Sequence, residues 1–142
     1  MAPPAEPAPT LDAPDGAVSE SPDRAVELEL PATAEHVRTA RLVSVAVARR
    51  MGLDDQLVEE VRLAVGEACA RHLAHDDTAQ RLRLELREDV PGRPGLHVVV
   101  RALGAGGALA PAATDDLSLA VLENLVPELK VGVYRLDLHW PG

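Results

Sequence analysis

Apolar and polar residues alternate over residues 26–30, a period of two that is typical of a β-strand with one buried face. The same alternation returns over residues 82–86, where leucines are separated by charged side chains. Residues 96–100 are almost continuously apolar, as in a strand near the centre of a sheet. A last strand is predicted over residues 131–140. The pattern therefore predicts four strands.

Two longer segments have the period of about 3.6 residues that predicts a helix with one apolar face. The first lies between Thr33, which suits an N-cap, and Gly52, which suits a C-terminal end. The second begins at Asp54 and loses its apolar period near residue 76.

A third, shorter helix is predicted to begin at Asp115 or Asp116, after a loop rich in glycine and alanine. The elements then follow the order β-α-α-β-β-α-β. Helices and strands in this order form two layers around one core. We therefore predict an α+β two-layer sandwich, with a mixed sheet covered on one face by about three helices.

The first 24 residues differ in composition from the rest, being rich in proline, alanine and acidic groups without an apolar period. Such a segment buries too little apolar surface to offset the entropy lost on ordering. We therefore predict an unstructured tail over residues 1–24 and one domain over residues 25–142. The tail lacks the pattern of a secretory signal, and no later segment has the apolar length of a membrane helix.

The charge balance narrows the classes of partner. The chain has 23 acidic and 14 basic residues, a formal net charge of −9. Binding to DNA or RNA draws on a basic surface, so this balance argues against direct contact with nucleic acid. An acidic domain instead suits a basic protein partner. In the absence of an export signal we expect a cytoplasmic protein.

The second predicted helix carries a sequence that resembles a known family. Its segment VRLAVGEACARHLAH, residues 61–75, is similar to the signature helix of the bacterial anti-sigma factor serine kinases. These are small relatives of histidine-kinase ATPase domains, with the GHKL or Bergerat fold. Element order extends the resemblance over roughly residues 26–140. The resemblance implies an ATP-dependent switch that holds a sigma factor inactive and phosphorylates an antagonist protein.

The signature helix departs from the family at its magnesium position. The family has a Glu that acts as general base, followed four residues later by an Asn that holds the metal; here these positions are Glu67 and Arg71. An Arg has no lone pair to offer a cation. Residues four apart share a helix face, so we expect Glu67 and Arg71 to pair, which would make Glu67 a poor base. His75 falls where the family commonly has a His, which suggests a structural role.

Two further family motifs are also altered. The Asp-x-Gly-x-Gly motif, whose Asp accepts a hydrogen bond from adenine, reads Ala102-Leu-Gly104-Ala-Gly106, so the glycines remain and the carboxylate is lost. The glycine-rich turn that cradles phosphates at a helix start has Asp115 and Asp116 instead. Aspartates there satisfy the free N–H groups and repel a triphosphate.

We therefore predict a degenerate anti-sigma-type regulator, a pseudokinase that binds proteins without using ATP. The resemblance suggests a sigma factor or an anti-anti-sigma protein of the STAS type as partner, and a homodimer is a further expectation. No metal site is predicted, because Cys69, His72 and His75 drift around the helix and cannot all reach one ion.

Two alternatives remain open at this point. In the first, the chain is an active serine-protein kinase that uses ATP and Mg²⁺, with Glu67 as base and Arg71 on the phosphates. In the second, Ala102 and Leu103 make the pocket more apolar, so that it holds a small apolar or purine-like ligand.

Overall fold

Seven strands and three α-helices follow one another in the order β-β-α-α-β-β-β-α-β-β in a computed structural model of the chain. It describes residues 17–20, 25–73, 78–88, 95–112 and 116–142. The strands are β1 (Ala17–Glu20), β2 (Val26–Pro31), β3 (Arg81–Glu88), β4 (Leu96–Leu103), β5 (Leu109–Ala110), β6 (Glu128–Val131) and β7 (Arg135–Trp140). The helices are α1 (Ala34–Arg50), α2 (Asp55–Leu73) and α3 (Asp116–Leu125).

The strands form one sheet in the order β1-β2-β3-β4-β7-β6, with β5 paired to β4. Each pairing in the described part of the chain is antiparallel, so the sheet is antiparallel where the sequence predicted a mixed one. The connection through α1 and α2 joins the neighbouring strands β2 and β3, whereas the connection through α3 leads from β5 to the edge strand β6, and β7 then lies between β6 and β4. The α+β two-layer class predicted from the sequence is confirmed.

The core lies between one face of the sheet and the helices. Side chains of the central strands alternate between the two faces, and those that face the helices are fully buried, among them Leu28, Leu84, Val98 and Leu136. On this face α1 packs over β2 and β3, α2 packs over β4, and α3 packs against α2 and β6. The other sheet face carries mostly charged side chains and has no helix on it among the described residues.

Three strands were missed by the sequence analysis. β1 lies inside the segment 1–24 that was predicted to have no structure, so that prediction does not hold for residues 17–20, which pair with β2. β5 lies in the predicted loop after β4. The single strand predicted over residues 131–140 is instead β6 and β7, because Gly132 N–H donates to the Arg135 carbonyl at 2.9 Å and closes a turn between them.

None of the helices in the described residues has both the length and the apolar content needed to cross a bilayer.

The two long helices begin with different caps. Thr33 occupies the N-cap of α1 with extended backbone angles, but its side chain makes no capping hydrogen bond. Asp54 precedes α2, and its Oδ1 accepts a hydrogen bond of 2.9 Å from the Leu57 N–H. Asp54 therefore satisfies one of the N–H groups that a helix start leaves without a partner.

This difference gives a matched pair of variants. We expect Asp54→Ala to lower the free energy of unfolding by about 1 kcal/mol, since it removes a capping bond. Thr33→Ala should have a clearly smaller effect, because no such bond exists there. Urea unfolding followed by circular dichroism measures both. Equal losses for the two variants would contradict this account of the caps.

Candidate functional site

The positions that carry the family resemblance border one region around the C-terminal half of α2. α3 packs along α2, and β4 lies under it. After α2, the Thr78 carbonyl lies 3.0 Å from the point where a Cβ atom on Gly104 would sit. The chain just before β3 and the turn after β4 therefore meet at this end of the sheet.

Glu67 and Arg71 do not pair as the spacing predicted. Glu67 is half-buried, and its side chain forms no hydrogen bond or ion pair with any described residue. Arg71 is only 5 % exposed, because the end of α2 is enclosed by α3 and β4. The two side chains therefore lie in different surroundings, although they are four residues apart on one helix. The expectation that pairing weakens Glu67 as a base is therefore wrong, and the case for a lost metal position depends on Arg71 itself.

His72 is a buried histidine that the sequence analysis weighed only as a metal ligand. It is fully buried, and neither ring nitrogen has a partner at hydrogen-bonding distance and angle among the described residues. Burial lowers the pKa of His72 to about 4; the nearby Val100 backbone opposes this fall, and the positive charge of Arg71 adds to it. His72 is therefore a neutral core residue at neutral pH.

Cys69, one turn earlier, is also fully buried. Burial raises the pKa of its thiol to about 12, although the charge of Arg41 on α1 works in the opposite direction. A thiol in this state is neither a nucleophile nor a ready metal ligand. In the described ranges, no group of three or more His, Cys, Asp or Glu side chains is placed to hold a metal ion.

Gly66 allows α1 to approach α2 closely beside this region. A Cβ atom at Gly66 would lie 2.9 Å from Cδ of Arg41. Arg41 is half-buried and lies across the signature helix, with its charge close enough to influence Cys69. This glycine within the signature helix therefore serves helix packing.

The altered Asp-x-Gly-x-Gly motif forms a tight hairpin. Ala102 lies within β4, pairs with Ala110 of β5, and is fully buried. The chain then turns through Gly104, whose N–H donates to the Ala108 carbonyl at 2.6 Å, and through Gly106, which has a φ of +70°. A positive φ explains the glycine at 106. The predicted tight loop is therefore confirmed. The first position of the motif carries a methyl group, which cannot accept a hydrogen bond.

The start of α3 is only partly described. Asp116 is the first residue of the helix and is exposed. The predictions for Asp115 and for His75 fall outside the described residues. The described part of this turn therefore carries an exposed carboxylate where the resemblance places a phosphate cradle.

Comparisons with known proteins agree with this architecture. The family model described as histidine kinase-like ATPase domain matches residues 30–131. The serine-protein kinase RsbW of Bacillus thuringiensis (strain Al Hakam) is 38% identical over 50 residues. The proteins of the same name from Bacillus cereus (strain B4264) and Bacillus anthracis (strain A0248) show the same identity over the same length. Each alignment covers 35% of this chain and 31% of the relative, so the chain spans about a third of the length of these kinases.

Proposed function

This chain belongs to the histidine kinase-like ATPase family, and from that premise we propose that it is an anti-sigma-type regulator that acts by protein contact and no longer binds ATP. The proposal makes it a pseudokinase, in contrast to the Bacillus relatives, which are serine-protein kinases by name. Its proposed partner is a sigma factor or an anti-anti-sigma protein of the STAS type.

The observation that carries this proposal is the buried Arg71. The family resemblance places a magnesium-holding Asn there, and the chain instead has a guanidinium that is 5 % exposed. A guanidinium stays protonated and cannot donate electrons to a metal. Two unit positive charges 4 Å apart repel by about 4 kcal/mol at an effective dielectric constant of 20, and a divalent ion would double this. The residue present does not fit a magnesium ion.

The adenine anchor is also missing. Ala102 offers no acceptor for the adenine amino group, and its fully buried methyl group is packed beside β5. An adenine amino group buried there without an acceptor would cost about 1–3 kcal/mol. Ala102 therefore supports the proposed loss of ATP binding, and it does so independently of Arg71.

The third altered position adds repulsion. Asp116 is exposed in the first turn of α3, where its negative charge complements the helix dipole. A triphosphate approaching that turn would meet a carboxylate in place of free N–H groups. Glu67 remains as an unpaired carboxylate in the described structure, but without a metal and an adenine anchor it has no bound substrate on which to act as a base.

Titration of the full chain with its partner tests the proposal. The sigma factors and STAS-type antagonists of the same organism would be titrated by calorimetry, with and without ATP and Mg²⁺. We expect one of them to bind with a Kd below about 10 μM and an affinity that nucleotide leaves unchanged. A tenfold change in affinity on adding nucleotide, or phosphorylation of an antagonist serine detected by mass spectrometry, would show an active switch and defeat the proposal.

A further inference from the structure

The sheet face opposite the helices, which we call the outer face, concentrates the basic residues of an acidic chain. Six of the 14 lysines and arginines in the sequence lie on its strands with side chains directed away from the core. They are Arg81, Arg83, Arg87, Arg101, Lys130 and Arg135. The same face also carries five carboxylates, so it suits an acidic partner only along a line of basic residues; the carboxylates are Glu27, Glu29, Glu85, Glu128 and Asp137.

Strand register places three of these arginines in one line across the sheet. Arg83 is directly opposite Arg101, and Arg101 is directly opposite Arg135. We call this line the arginine row. Like charges at directly opposite positions destabilise a sheet. A row of this kind therefore works against stability unless a negative group lies over it.

The two ends of the arginine row are neutralised within the chain, and its centre is not. Arg83 Nη2 donates to Glu29 at 3.3 Å, and Arg135 donates to Asp137 at 2.6 Å. Arg101, between them, makes no side-chain hydrogen bond or ion pair with any residue in the described part of the chain. A carboxylate from a partner would therefore form its most favourable ion pair at the centre of the row, with Arg101.

A line of opposite charge runs beside the arginine row. Glu27, Glu85, Val99 and Asp137 occupy successive opposite positions, and we call them the acidic row; Lys130 follows them at the edge of the sheet. A shallow depression of about 80 Å³ is lined by residues of both rows, among them Val99 and Arg101. Because the sign of charge reverses from one row to the next, the face suits a single line of carboxylates and would repel a broad polyanion such as nucleic acid.

A second copy of the same face is a poor occupant. Beyond the acidic row lies a third line, Arg87, His97 and His139. Two copies packed face to face without an offset would place the arginine row on itself, and only an offset by one row would set it against the acidic row. Even then, two chains that each carry a formal net charge of −9 would repel overall, which disfavours a second copy.

From this geometry we infer that the outer face is a docking surface for an acidic helix of a protein partner, whose carboxylates bind the arginine row. Neighbouring strands are about 4.8 Å apart, so the row repeats at that interval. Residues three or four apart on a helix are about 4.5–6 Å apart along its axis, whereas alternate residues of an extended strand are about 6.7 Å apart. A helix laid across the strands therefore matches the row more closely. The inference rests on the proposed function only in requiring a protein partner.

A labelled acidic peptide probes this surface in the intact chain. The probe is a helix-forming peptide with glutamates at positions i, i+3 and i+7, and its control has glutamines there. Fluorescence anisotropy at low ionic strength should show binding of the glutamate peptide that weakens about tenfold in Arg101→Gln, as expected for loss of a charged hydrogen-bonded contact. The matched control Arg62→Gln removes the same charge from α2, where Arg62 is paired with Glu59, and should change binding less than twofold.

The other occupants are separated by further measurements on the same proteins. Residues 1–16 contain Glu6, Asp12 and Asp15 and no basic residue. If Glu6→Gln, Asp12→Asn and Asp15→Asn together strengthen peptide binding tenfold, the chain's own acidic residues compete for the row and the inference fails. It also fails if an oligonucleotide of equal charge binds as tightly and shows the same Arg101 dependence.

The partner of the proposed function provides the closing test. We expect Arg101→Gln to weaken binding of that partner, while Arg62→Gln leaves its affinity unchanged. Both variants should keep the urea midpoint of the parent chain. If the partner binds independently of nucleotide but is indifferent to Arg101→Gln, the docking surface is wrong and the proposed function stands. If Arg101→Gln weakens a partner whose binding depends on ATP, the docking surface stands and the proposed function is wrong.

Discussion

Replacing Trp140 with alanine is expected to lower the free energy of unfolding by about 3–5 kcal/mol, because the change leaves a large cavity in the core. Trp140 is the last residue of β7, is 1 % exposed, and is the largest fully buried side chain in the described structure. Its indole N–H donates to the Leu125 carbonyl at 3.2 Å, which ties the end of the sheet to the end of α3. Urea unfolding followed by circular dichroism measures the loss.

The control for this variant is Leu117→Ala. Leu117 lies on α3 and is 76 % exposed, so its removal should change the free energy of unfolding by less than about 0.5 kcal/mol. A loss of under 1 kcal/mol for Trp140→Ala would show that the strand end does not complete the core as described.

Lowering the pH from 7 to 4 is expected to reduce stability through His72 by on the order of 3 kcal/mol. Burial lowers its pKa to about 4 in the folded chain, against an ordinary histidine pKa of 6.5 in the unfolded chain. Between these pH values the unfolded chain binds a proton that the folded chain does not bind. The contribution of His72 to the free energy of unfolding is therefore fully present above pH 6.5. It decreases as the pH falls from 6.5 to 4, and it does not change further below pH 4.

His72→Leu isolates this effect. The variant removes two ring nitrogens that have no hydrogen-bond partner, so we expect little change at pH 7 and a much flatter decline towards pH 4. Urea unfolding at a series of pH values compares it with the parent chain and with His36→Gln, a change at the partly exposed start of α1. If His72→Leu loses stability with pH as steeply as the parent, His72 is not the titrating group.

Hydrophobic periodicity predicted most of the fold because the long elements bury one face. The apolar stripe of α2 and the alternating leucines of β3 each match a single period, and both elements form where expected. β1 and β5 have four and two residues, which is too short for a period to show, and they are stabilised by pairing with β2 and β4. Such short strands depend on a neighbour that is distant in sequence or on a turn.

The candidate site shows where spacing alone is insufficient. Glu67 and Arg71 satisfy the i, i+4 rule, yet they do not pair: Arg71 is buried, and Glu67 is only half-buried. Helix spacing places two side chains on one face, but it does not say what covers that face. The buried state of His72 has the same origin, since its enclosure depends on elements far away in the sequence.

The arginine row could not be found from the sequence for a related reason. Arg83, Arg101 and Arg135 are separated by 18 and 34 positions in the chain, and only the register of β3, β4 and β7 brings them into line. Alternation over residues 82–86 indicates that Arg83 faces away from the core, and its alignment with Arg101 and Arg135 required the strand order. The altered nucleotide positions and the outer face lie on opposite sides of the sheet, so a partner on the outer face would not need the nucleotide region.

Calorimetric titration of the full chain with ATP and Mg²⁺ tests most directly the claim that nucleotide binding is lost. We expect no saturable heat corresponding to a Kd below about 100 μM, with Mg²⁺ or without it, because Arg71 occupies the metal position and Ala102 lacks the adenine acceptor. A saturable one-to-one isotherm with a Kd in the micromolar range would contradict the account, and dependence of that isotherm on Mg²⁺ would show that the metal position is intact.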